Sequence, residues 1–117
     1  MKKDIINTNS NGKLDGKYET YHDNGQLKKK AAYSNGKYNG KHEWYYPNGQ
    51  LDVKTSYSDG KLHGEYEVYH ENGQLCLKTT YFNGEKHGKY EWYYPNGSLY
   101  RRCNYDMGIK IGIEETN

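Results

Sequence analysis

Five histidines, four evenly spaced glutamates and two cysteines are the residues with which this chain could bind a metal or do acid–base or nucleophilic work. His63 and His87 hold equivalent positions 24 residues apart. On neighbouring strand pairs that places them about 9–10 Å apart, too far to share a metal whose bonds are about 2 Å long. His22, His42 and His70 fall on one face but on separate strands, so no metal or other cofactor is expected. Glu19, Glu43, Glu67 and Glu91 could suggest paired carboxylates, and copies two strands apart approach the span of about 6.5–9.5 Å used by inverting glycosidases. Each recurs with a basic partner and none differs from the rest, which reads as a lattice of surface ion pairs. Cys76, read as lying beside Tyr69 and Glu91, has an acidic neighbour that disfavours a thiolate nucleophile. The chain is expected not to be an enzyme.

The elements that carry these residues follow from a strict period. Gly12, Gly36, Gly60, Gly84 and Gly108 form one ladder; Gly16, Gly40, Gly64, Gly88 and Gly112 a second; Gly25, Gly49, Gly73 and Gly97 a third. All 14 glycines lie on these ladders, and Tyr21, Tyr45, Tyr69, Tyr93 and Leu27, Leu51, Leu75, Leu99 keep the same spacing. Such a period means one supersecondary unit stacked on copies of itself. Asn-Gly steps between β-prone runs (Asn24-Gly25, Asn48-Gly49, Asn72-Gly73, Asn96-Gly97) predict hairpins with type I′ turns. A second turn is expected at Asn35-Gly36, Asp59-Gly60 and Asn83-Gly84.

The expected fold is all-β: an elongated single-layer antiparallel meander, twisted along its length, built from four 24-residue hairpin repeats. It forms a single domain over residues 1–117, with repeats 11–34, 35–58, 59–82 and 83–106, an N-terminal cap 1–10 and a C-terminal cap 107–117. Ile5 and Ile6 mark a degraded strand before the first repeat, and Ile109, Ile111 and Ile113 begin an unfinished fifth.

A two-residue turn fixes the register. It sets His22 against Leu27, Thr20 against Lys29, Tyr18 against Ala31 and Gly16 against Tyr33. One face then carries the rings. The other pairs Glu19 with Lys30, Glu43 with Lys54, Glu67 with Lys78 and Glu91 with Arg102. Across the second turn Tyr33 is expected to face Tyr38, and Leu27 to face Trp44. The glycines opposite Tyr33, Tyr57, Tyr81 and Tyr105 read as bare backbone covered by a ring. Cys76 and Cys103 are expected on opposite faces as free thiols, which suits the cytoplasm.

Composition narrows the partners. The chain is 32% hydrophobic and 15% aromatic, and 15 of its 18 aromatic residues are tyrosine. That suits half-buried rings on a sheet rather than a thick aliphatic core. A net charge of +2 from 17 basic and 15 acidic residues is too weak and too mixed to imply nucleic acid or an anionic membrane. Lysines interleaved with tyrosines could stack single strands, but glutamates on the same face argue against it. The glycine turns join strand to strand and offer no helix N-terminus for phosphate. The start, Met1-Lys2-Lys3-Asp4-Ile5-Ile6-Asn7, lacks an apolar signal core, and no stretch is apolar enough for a membrane helix.

The pattern from Asp59 to Tyr81, in which Asp59-Gly60-Lys61 and Gly64 precede Tyr69-x-x-Asn72-Gly73-Gln74-Leu75 and then Lys78 and Tyr81, resembles a variant MORN repeat. The Tyr-x-x-Asn-Gly-Gln-Leu run with its following Lys is similar to the bacterial YwqK-like antitoxin family; Ser98 replaces the Gln in the fourth unit. The resemblance implies a small cytoplasmic protein that neutralises a cognate protein toxin by direct binding. MORN arrays also serve as scaffolds and lipid-proximal modules, so the alternative is a scaffold or self-associating module, at the membrane or as a homodimer. The residues expected to meet a partner are Trp44, Tyr46, Trp92 and Tyr94, with Tyr18, Tyr38, Tyr66 and Tyr90, because Trp and Tyr dominate binding hot spots.

Overall fold

The computed structural model describes residues 3–116, all of them strand, turn or irregular backbone. An N-terminal strand β1 (Ile5–Thr8) is followed by a long hairpin, β2 (Leu14–Tyr21) and β3 (Leu27–Ser34). Three copies of a strand triplet come next: β4 (Lys37–Tyr38), β5 (Gly40–Tyr45) and β6 (Leu51–Ser58); β7 (Lys61–Leu62), β8 (Gly64–Tyr69) and β9 (Leu75–Phe82); β10 (Glu85–Lys86), β11 (Gly88–Tyr93) and β12 (Leu99–Asp106). Strand β13 (Ile109–Thr116) closes the described chain. All neighbours are antiparallel, and the long strands follow one another across a single sheet in sequence order. The expected meander of hairpins is the fold.

Both turn families form, but the type I′ geometry expected at the Asn24-Gly25 class falls at the second family instead. Positive φ at two successive residues, the mark of a type I′ turn, occurs at Asn35-Gly36 (50° and 85°), Asp59-Gly60 (51° and 84°) and Asn83-Gly84 (49° and 87°). At the Asn24-Gly25 class only the glycine is left-handed. There Gly25 N–H bonds to the His22 carbonyl and His22 N–H to the Gln26 carbonyl. This is a three-residue loop in which Asn24 Oδ1 accepts from Gln26 N–H (2.9 Å).

The longer loop offsets the strands by one residue, and a bulge at Lys28 restores them. Tyr21 pairs with Leu27, whereas Thr20 pairs with Lys29, Glu19 with Lys30, Tyr18 with Ala31 and Gly16 with Tyr33. The same step recurs at Asp52, Cys76 and Tyr100. The expected register is therefore correct beyond the bulge and wrong next to the turn. Leu27 faces Tyr21 and not His22, which moves the leucine ladder to the ion-pair face.

A second irregularity lies between repeats. Tyr33 pairs with Tyr38 as expected, but Trp44 pairs with Lys29 rather than Leu27. Two extra residues at Asn39-Gly40 cause the displacement. Because the shift is by two, each side chain keeps its face. The kink requires glycine: Gly64 has φ +108°, and a Cβ there would sit 2.8 Å from Ser56 Oγ. Its pairing with Tyr81 is real, yet the backbone angle and the missing space, more than a covering ring, account for glycine at this position.

The sheet is flat where a twisted one was expected. Its extents are 50 × 32 × 11 Å. At the usual 20–25° between neighbours, ten strands would turn through about 180–225° and make width and thickness comparable. Bonds between successive turns hold them in simple stacks instead. Along one edge Asn24, Asn48 and Asn72 donate from Nδ2 to the carbonyls of Pro47, Glu71 and Pro95 (2.8, 3.2 and 2.9 Å). Along the other, Gly36, Gly60 and Gly84 N–H groups bond to the carbonyls of Leu14, Tyr38 and Leu62.

Candidate binding surfaces

The ring-bearing face is a packed layer rather than a bare stripe. Tyr18, His42, Tyr66 and Tyr90 stand opposite Ala31, Thr55, Thr79 and Cys103. Those four small residues, with His42 and Tyr90, are the buried ones among the described residues. Rings then touch along the array: Tyr18–Tyr33 at 5.3 Å between centroids, Tyr33–Tyr38 at 4.8 Å, Tyr38–Tyr57 at 4.9 Å, His42–Trp44 at 4.2 Å and Tyr90–Trp92 at 4.1 Å. Contacts of this kind add about 0.5–1.5 kcal/mol beyond the area they bury. Among the described residues no second layer packs on the sheet, so this layer is the core.

Cations lie on the rings. Lys29 Nζ sits 5.1 Å from the centroids of Tyr18 and Tyr38 and 5.5 Å from Trp44, and it donates to Tyr38 Oη (3.0 Å). Burial works to raise the Tyr38 phenol, but hydrogen bonds from Tyr33 and Lys29 outweigh it and bring the phenol below its ordinary value. Burial, then neighbouring tyrosines, pushes Tyr90 up to about 12. Arg101 lies 4.6 Å over Trp92.

The sequence-predicted partner residues divide accordingly. Tyr90 is 8% exposed and works as core. Trp44, Tyr46, Trp92, Tyr18, Tyr38 and Tyr66 are half-buried. Tyr46 arches over the next repeat and donates to the Tyr69 carbonyl (2.7 Å). Tyr94 is 40% exposed and packs at 5.1 Å on Tyr100, itself 45% exposed. Tyr100 was not foreseen on this face. It occupies the bulge, where a side chain departs from strict alternation, and no residue type marks that bulge in the sequence.

Cys76 is the equivalent bulge residue one repeat earlier. It stands near Tyr46 and Asp52 on the ring side, so both cysteines share a face and the acidic neighbour is Asp52, not Glu91. Burial first, and then Asp52, pushes its thiol up. Four of the five histidines bond to backbone groups. His22 and His70 donate from Nε2 to the carbonyls of Tyr45 and Tyr93 (2.8 and 3.0 Å), while His63 and His87 accept at Nδ1 from the N–H groups of Asn83 and Met107 (3.2 Å each).

The opposite face carries one alternating charge ladder across the sheet: Glu19, Lys30, Glu43, Lys54, Glu67, Lys78, Glu91, Arg102 and Glu115, each paired with the next. Arg102 Nε meets Glu91 at 2.8 Å and Arg102 Nη1 meets Glu115 at 3.7 Å. Tyr21, Tyr45 and Tyr69 hydroxyls donate to Glu19, Glu43 and Glu67 (3.2, 3.2 and 3.1 Å). Shallow hollows of about 510, 300 and 390 Å³ recur beside the ladder. Lys17, Lys30, Lys41 and Glu43 line the largest.

Residues 14–35, 38–59, 62–83 and 86–107 each match the MORN repeat variant. The chain belongs to that family. In this MORN-repeat protein each match begins in the strand leading to the kink glycine and ends on the positive-φ residue of the next I′ turn, so the family's unit and the structural unit share one period. Comparison with curated proteins finds no match. Four stacked MORN repeats with two chemically distinct faces make a repeat-based protein-binding module.

Proposed function

We propose that this MORN-repeat chain is a non-enzymatic antitoxin or immunity-type protein that acts in the cytoplasm by binding a cognate protein toxin. The observation that carries the reading is where the ring layer opens to solvent. The exposed Tyr94–Tyr100 pair adjoins Trp92 with Arg101 stacked on it. Tyr, Trp and Arg are the types that anchor interfaces, and here they sit on a rigid sheet, which limits the entropy lost on binding. Trp44 and Tyr46 extend the surface one block earlier. The unpaired Cys76 and Cys103 suit a reducing compartment.

Co-expression with a toxin-domain protein encoded next to this chain tests the reading. Wild type should co-purify as a stable one-to-one complex. Tyr94→Ser with Tyr100→Ser should weaken it by about thirtyfold or more, since each hot-spot truncation costs about 2 kcal/mol. A double variant that binds like wild type removes the assigned surface. A self-associating scaffold is the second reading, favoured by β13, whose Ile113 is 88% exposed. Concentration-dependent dimers and no toxin complex would select it.

A further inference from the structure

The bulges place a second apolar surface on the ion-pair face. Tyr21 stands opposite Leu27, Tyr45 opposite Leu51, Tyr69 opposite Leu75 and Tyr93 opposite Leu99. All eight residues are half-buried. They form a belt that crosses the sheet beside the charge ladder, away from the Trp92–Tyr100 surface. We infer that this belt docks a proline-rich segment of a partner protein in the polyproline II conformation, lying across the strands with every third residue seated between successive tyrosines.

The period is the main argument. Equivalent tyrosines are two strands apart, about 9.4–9.8 Å, and three residues of polyproline II rise about 9.3 Å and return to the same face. Over the three intervals from Tyr21 to Tyr93 the accumulated mismatch is about 0.3–1.5 Å. An extended strand repeats its faces every two residues, about 6.6–6.8 Å, and falls out of step at once. A helix presents the same face after seven residues, about 10.5 Å, and drifts by about 2–3 Å over the same span. The 11 Å thickness matters here, because a straight rod can follow the belt only on a sheet that does not twist beneath it.

The chemistry agrees with the spacing. Proline rings pack on aromatic grooves without losing much conformational entropy, since the segment is already extended. Its backbone carbonyls have no internal partners, and the ladder offers one cation per repeat at the same period: Lys30, Lys54, Lys78 and Arg102. Lys78 has 46% of its side chain exposed while its partner Glu67 has 14%, so the cation stands proud of the carboxylate and can donate to a ligand. The tyrosine hydroxyls are tied to the glutamates, which holds the rings in fixed orientation.

Fluorescence anisotropy with a labelled twelve-residue peptide of four Pro-Pro-Ala units tests the inference, with a Gly-Ser peptide of equal length as control. Wild type should bind the proline peptide saturably and the control at least about tenfold more weakly. Tyr45→Thr with Tyr69→Thr should lose about tenfold in affinity, and Tyr94→Ser with Tyr100→Ser should lose none. Amide shifts of the wild-type protein, which need no variant to fold, should move at Tyr45, Leu51, Tyr69 and Leu75. No saturation up to millimolar peptide overturns the proposal, as does equal binding by the control or shifts centred on Tyr94 and Tyr100. The belt and the toxin-binding surface lie on opposite faces, so either can fail without the other.

Discussion

Acidification should loosen this sheet through His42. Its ring is 1% exposed and lies among Tyr38, Trp44 and Tyr57, with neither nitrogen hydrogen-bonded to a protein group. Burial first, and then Lys29, lowers its pKa to about 4 from the ordinary 6.5. The unfolded chain therefore takes up a proton that the folded chain refuses. Stability contributed by neutral His42 is complete above pH 6.5 and is lost as pH falls towards the folded value. At about 1.36 kcal/mol for each pH unit of difference, the loss is about 2 kcal/mol by pH 5 and about 3 kcal/mol by pH 4. Urea unfolding should show the midpoint falling by about 0.7–2 M between pH 7 and pH 5 from this group alone. His42→Tyr isolates it from the other histidines. Tyrosine fills the same position as Tyr18, Tyr66 and Tyr90, and Tyr66 already stands opposite a threonine as His42 does. Parallel pH profiles for wild type and this variant would refute the argument.

Gly64→Ala should cost more than Gly16→Ala, by about 1–3 kcal/mol in urea unfolding, because both force an alanine to positive φ but only the first meets Ser56 Oγ at 2.8 Å. Adding Ser56→Ala should recover part of that difference, since the equivalent pair Gly40 and Ala32 leaves 3.4 Å. Thiol labelling at neutral pH should be slow at half-buried Cys76, whose thiol is raised by burial and Asp52. It should be absent at Cys103, 1% exposed, until urea unfolds the chain. Rapid labelling of Cys103 in the native protein would place the core elsewhere.

The glycine and tyrosine ladders made the repeat legible, and the Glu–Lys spacing made the body of the register legible. The turn type was not. An Asn-Gly step serves either a two-residue turn or a three-residue loop whose glycine alone is left-handed, and nothing in the sequence flags the bulge that follows. The two errors cancel, so Glu19 meets Lys30 by either route, while Leu27 and Tyr100 change faces. The shift at Asn39-Gly40 was hidden for a related reason: moving by two residues preserves alternation. Flatness lay beyond reach because it arises from bonds such as Asn24 to Pro47, between residues 23 apart in neighbouring turns. Of the predicted surface, Tyr94 proved exposed and Tyr90 buried, a distinction set by neighbours rather than by residue type.

Because one turn sits on the next by displacement with little rotation, copy number acts as a ruler. Inserting or deleting a whole 24-residue unit would lengthen or shorten the slab by about 9.4–9.8 Å while every face continued to look the same way. Separation between two contact points on such a plate can thus be reset in fixed increments without redirecting either, a freedom that coiled or strongly wound arrays lack.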